Sequence, residues 1–242
     1  MIYNLTDIPN LDNTSEYCFN AVGDLELLHH PIKTPIQLST DVSKIISLMK
    51  PVVEKARYAQ SIVDNQYSHE ELLNTKYGQI LYSENKQQVR MHPMTTANLV
   101  TGYILVHEID DIYGIYDLYA DILKISKESI YEYQTNRLEL VHIKTHTTLP
   151  YHIHSVAEHG FNIDPVELLL PVSGKSKFWF STHPESEYQS KYSYVMEDKI
   201  TAFNPRLLHT GTALTDDSFL LAMTPMCSFQ TILDLNHNEI IV

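Results

Sequence analysis

Leu138-Glu-Leu-Val-His-Ile-Lys-Thr-His-Thr-Thr-Leu-Pro-Tyr-His-Ile-His-Ser-Val-Ala-Glu158 decides how the rest of the chain is read. It opens with alternating apolar and polar residues and ends, after Pro150, in His152-Ile-His154. In an extended chain, residues two apart point to the same face. On a strand, His152 and His154 therefore project side by side, and two neutral imidazoles so placed make half of a metal site. A third ligand must come from elsewhere, and His209, bracketed by Pro205 and Gly211, is the best placed in sequence.

Outward from this stretch toward the C-terminus, short apolar runs alternate with turns. They cover residues 138–146, 150–154, 166–172, 176–182, 192–197, 199–203, 207–213, 218–225 and 228–235. Many short strands separated by turn residues predict a sandwich or jelly roll. Such a fold returns the chain on itself, so a late strand carrying His209 can lie beside an early one carrying His152 and His154.

Toward the N-terminus the period changes. Val42, Ile45, Ile46, Met49, Val52, Val53, Ala56, Ala59 and Val63 recur at helical spacing, predicting a helix over 39–66. Ser39 or Thr40 can cap it, and Pro51 should kink or divide it. Residues 67–95 hold short extended runs, whereas 96–125 read as two further helical segments. The expected fold class is α+β: a helix-rich region, 1–135, buttressing a jelly roll, 136–242, the two forming one continuous domain. His29 and His30 are adjacent, so on a strand they face opposite ways and cannot chelate one ion.

Seventeen basic against thirty acidic residues leave a formal charge of −13, which repels phosphate backbones and argues against a nucleic-acid partner. Cys18 and Cys227 share no metal-binding or disulfide spacing and read as free thiols of a reducing compartment. The first residues lack a signal-peptide pattern, and no apolar run is long enough to span a bilayer. A cytoplasmic protein with no membrane partner is expected.

The C-terminal half resembles the cupin and 2-oxoglutarate/Fe(II) oxygenase superfamily, the double-stranded β-helix proteins. His152-Ile-His154-Ser-Val-Ala-Glu158 is similar to the cupin first motif. Asp198-Lys-Ile-Thr-Ala-Phe-Asn-Pro-Arg-Leu-Leu-His209 is similar to the second. Val166 to Phe180 resembles the central strands of aspartyl/asparaginyl hydroxylase-like oxygenases. Cupins are often dimers, so the resemblance makes a homodimer a candidate.

The resemblance implies a mononuclear non-haem Fe(II) oxygenase, or one using another divalent metal, acting on a small organic substrate. His152, His154 and His209 would ligate the metal, with Glu158 completing the set or acting in catalysis. In the oxygenases a carboxylate usually takes the place held here by His154, and a basic residue lies about ten positions after the last histidine. This chain has Asp216, Asp217, Ser218 and Phe219 there. Lys175, Lys177 or Arg206 could instead grip the far carboxylate of 2-oxoglutarate, with Tyr151 at the cofactor site. Two other classes use the same scaffold: a cupin isomerase, lyase or hydrolase in which the metal is a Lewis acid, and a ligand-binding protein without catalysis.

Overall fold

A computed structural model describes residues 35–66, 80–84, 87–96, 99–108, 114–126, 138–143, 165–181, 192–205, 208–216, 218–225 and 227–241. Twelve strands and three α-helices are described, in the order β1 (Ile36–Leu38), α1 (Ser43–Gln66), β2 (Ile80–Glu84), β3 (Gln87–Thr96), β4 (Leu99–Glu108), α2 (Ile115–Leu123) and β5 (Leu138–Ile143). They continue with β6 (Glu167–Ser173), β7 (Ser176–Ser181), β8 (Tyr192–Met196), β9 (Ile200–Phe203), β10 (Leu208–Ala213), β11 (Ser218–Met223), α3 (Phe229–Asn236) and β12 (Ile240–Ile241). Nine strands form one sheet in the order β12-β1-β9-β6-β11-β5-β4-β3-β2, and β10-β7-β8 form a second. All of these pairings are antiparallel.

Both faces of β5, β6, β9 and β11 are buried, and strand alternation sorts their residues between them. Leu138, Leu140, Leu168, Leu170, Val172, Ile200, Ala202, Phe219, Leu221 and Met223 join one cluster with the apolar stripes of α1, α2 and α3. Ile143, Leu169, Phe203, Leu220 and Ala222 join the other, with Phe178, Phe180, Met196 and Ala213 of the small sheet. The layers are thus helices, large sheet, small sheet. The architecture is α+β, as the sequence implied.

The helix over the sheet starts later than the caps named from sequence. Asp41 Oδ1, rather than Ser39 or Thr40, accepts from the N–H of Ser43 at 2.9 Å, and this bond holds the Asp41 carboxyl below its ordinary range. The helix continues undivided past Pro51, which lies on its exposed side. Val42, Ile45, Met49, Val52, Val53 and Ala56 stay in one buried row on both sides of the proline.

Two stretches differ from the sequence reading. Residues 99–107 are not helical: Leu99–Glu108 is a strand, paired with β3 on one side and β5 on the other. Its Val, Thr, Tyr and Ile content suits a pleated surface flanked by partners, and cross-strand pairing overrides the weak helical spacing. The same pairing carries the sheet across residue 135. Conversely, 228–235 is not a strand. The Ser228 hydroxyl accepts from Thr231 N at 3.1 Å and caps α3. Phe229 and Ile232 face the core from it, and Asn236 Nδ2 donates to Leu123 O at 3.1 Å, tying α3 to the end of α2.

Pro171 sits inside the central strand β6 without costing a ladder bond. Pairing with β9 ends at Leu169, and a register shift against β11 falls between Phe219 and Leu220, where Pro171 lies. Gly174 turns β6 into β7 at φ 68°, a left-handed conformation in which a Cβ is strained.

Candidate metal centre

The pairing of the C-terminal strands is nested. β5 pairs with β11, inside that pair β6 pairs with β9, and inside that again β7 pairs with β8. The large-sheet core reads β5-β11-β6-β9 and the small sheet β10-β7-β8. This is the strand order of a double-stranded β-helix, a jelly roll wound from a folded hairpin. On one flank β1 closes the sandwich: Gln37 Nε2 donates to Val195 O and to Thr201 Oγ1, and Tyr194 Oη donates to Pro35 O at 2.9 Å.

His209 lies on β10 and faces the sandwich interior, 2% exposed. Its strand partner is Phe180, whose ring lies 6.1 Å away at 27°. The Phe203 ring meets it edge-on, 4.9 Å away at 66°. Two residues further along the same face, Gly211 lies opposite Phe178. An imidazole set between aromatic rings suits a packed core residue, and its ring nitrogens are also of the type that ligate metals.

Glu167 is a further ionisable group on this face, where the sequence motif points to Glu158 instead. It opens β6 directly opposite Phe203, and alternation puts it on the interior side with Leu169. It is only 8% exposed. A carboxylate buried to that degree is paired or ligates a metal. The signal was present in the sequence: Glu167 stands two residues before Leu169, at the polar start of an otherwise apolar strand. Only the register shows which face it takes.

Tyr151, His152, His154, Glu158 and Arg206 lie outside the described residues. Among the described residues no three His, Cys, Asp or Glu side chains come together as a metal site. The structure does not bring Lys175 or Lys177 to His209. Lys175 follows the β6–β7 turn, half exposed, its Nζ 2.5 Å from Glu197 Oε1. That is the far end of β10, where Ala213 pairs with Ser176, about 13 Å of strand away at roughly 3.3 Å per residue. Lys177 alternates to the outer face, where its Nζ sits 5.1 Å over the Trp179 ring. Another buried histidine, His142, faces the helices instead, stacked 4.3 Å from Phe219. No helix of the described residues is long and apolar enough to cross a membrane.

No family model matches the chain, and no curated protein does. Similar solved structures include YcfD, a ribosomal oxygenase from Escherichia coli in complex with cobalt and succinic acid, 10% identical at a TM-score of 0.41. That likeness covers 69% of this chain and 46% of YcfD, so the chain spans about half of that protein's length. A cupin-like protein from Thermotoga maritima is 9% identical over 67% of this chain and 96% of its own, with a TM-score of 0.31. The non-heme monooxygenase ThoJ, as a nickel complex, is 11% identical over 48% of this chain and 53% of its own, at 0.30. The fold assignment comes from the strand order itself.

Proposed function

We propose that this chain is a mononuclear metal-dependent oxygenase of the cupin kind, holding Fe(II) or another divalent ion with His152, His154 and His209. One observation carries the reading: the nested ladder. Ser218 pairs with Ile143 outside it, and Phe203 pairs with Glu167 inside it. His209 lies nine residues before Ser218, and His152 lies nine after Ile143. His209 also lies six residues after Phe203, and Phe161 lies six before Glu167. A strand that continued the nesting beside β10 would therefore set a residue between His152 and Phe161 against His209. Directly opposed residues of an antiparallel pair share a face, and His152 and His154 fall at the start of that window.

The donor chemistry fits. His209 is a buried imidazole that can ligate in its neutral form, and Glu167 adds a buried carboxylate on the same face. We assign Glu167, ahead of Glu158, to complete the set or to orient a ligating imidazole through a hydrogen bond. Bound there, Fe(II) supplies the redox chemistry with dioxygen that oxidises a small organic substrate. Phe180 and Phe203 set apolar rings against His209. Because Lys175 and Lys177 are engaged elsewhere, we assign any contact with the far carboxylate of a 2-oxoglutarate cosubstrate to Arg206.

Elemental analysis of protein purified without chelator, beside His152→Ala and His209→Ala, tests the site. Loss of metal in both folded variants supports it; undiminished metal in either overturns it. Oxygen uptake by the Fe(II)-loaded chain with and without 2-oxoglutarate then separates the oxygenase from a non-redox metal enzyme.

A further inference from the structure

The small sheet contains a close approach that ordinary packing does not require. A Cβ built on Gly211 would lie 2.6 Å from two atoms of the Phe178 ring and 2.8 Å from a third. The Phe178 ring thus occupies the space that any other residue at position 211 would fill. Gly211 carries no left-handed φ, so its backbone alone would accept alanine. What the missing side chain allows is the seat of the ring. Phe178 in turn stands 6.3 Å from Phe180 at 27°, and Phe180 stands 6.1 Å from His209 at the same angle. Phe180 also meets Phe203, 5.0 Å away, whose ring bears edge-on against His209. A row of rings therefore runs from Gly211 to the imidazole along one buried face.

We propose that Gly211 and the Phe178 ring seated on it are positioning residues that set the orientation of His209 toward a metal, by fixing where Phe180 and Phe203 stand. The inference rests on the reading of His209 as a ligand. Close-packed interiors transmit displacement instead of absorbing it. A methyl group at position 211 pushes Phe178 along the row and turns the imidazole from its ligating angle. The chemistry of the ligand is unchanged; only its aim is lost.

The test titrates the full chain and its variants with Co(II), reading the dissociation constant and the visible d–d absorption, which reports ligand geometry. Gly211→Ala should weaken binding about tenfold, as supporting-residue changes around metal sites do, and shift the band. Phe178→Ala, which removes the ring seated on Gly211, should weaken binding by a similar factor and shift the band, and adding Gly211→Ala to it should change little further, because the methyl then has no ring to strike. Wild-type affinity and spectrum in Gly211→Ala overturn the proposal, as does a double variant in which the two losses simply add. If Gly211→Ala does not fold, Phe178→Leu decides: an altered band with the fold intact supports the relay, and an unaltered one refutes it. His209→Ala in the same series separates the two failures. If it binds Co(II) normally, the metal reading itself falls; if it loses Co(II) while Gly211→Ala does not, only the positioning role falls.

Discussion

The two faces of the large sheet are made by the same strands, yet they differ in kind. Toward the helices, β5, β6, β9 and β11 present Leu138, Leu140, Leu168, Leu170, Ile200 and Leu221, an aliphatic surface matched to α1, α2 and α3. Toward the small sheet they present Glu167, Thr201, Phe203 and Ser218 among the apolar residues, facing His209 and Phe180. Alternation makes this division possible, because one residue in two can be given to stability and the next to chemistry. Even histidine follows the rule. His142 stacks flat on Phe219 on the helical side, whereas His209 stands in the aromatic row of the other. The difference teaches that polar and titratable groups can be set into a core without thinning it, provided the opposite face carries the burial.

The sharpest break of this contrast comes from His209→Ala. It should abolish stoichiometric metal uptake, measured by elemental analysis, while leaving the circular dichroism spectrum of the folded protein intact. Phe219→Ala strikes the other face and should cost about 3–5 kcal/mol in urea unfolding, with metal content per folded molecule unchanged. If Phe219→Ala empties the metal as well, the two faces are not separable.

Glu167→Gln keeps shape and removes charge. It should weaken metal binding about tenfold by competition titration, and collapse of the fold instead would make Glu167 a structural residue. On the helical side, burial pushes the Cys227 thiol up to about 11. A folded-state pKa raised this way gives stability that is whole below the ordinary thiol range and is lost as pH rises from about 9 toward about 11. The unfolding midpoint should fall across that window, and Cys227→Ala should fall less. The smallest effect belongs to Lys175→Ala, which removes an exposed ion pair with Glu197. It should change stability by less than about 1 kcal/mol and leave the metal titration unmoved, which checks that this lysine lies outside the site.

Much was legible in the chain by itself. The apolar stripe from Val42 to Ala56 marked a helix, because burial on one side repeats at the helical period. The run of short strands after residue 137 marked a jelly roll, because turn residues cut it at strand length, and the histidines stood out by their spacing. Sequence could not decide what depends on partners distant along the chain. Leu99–Glu108 looked helical until β3 and β5 claimed its edges, and Phe229–Asn236 looked extended until a serine cap and the end of α2 held it as a helix. The face taken by Glu167, the placement of Lys175 and Lys177 away from His209, and the seat of Phe178 on Gly211 were likewise decided in three dimensions. Local pattern fixes the period of an element, but register and sheet order, set by long-range pairing, fix which way each side chain points.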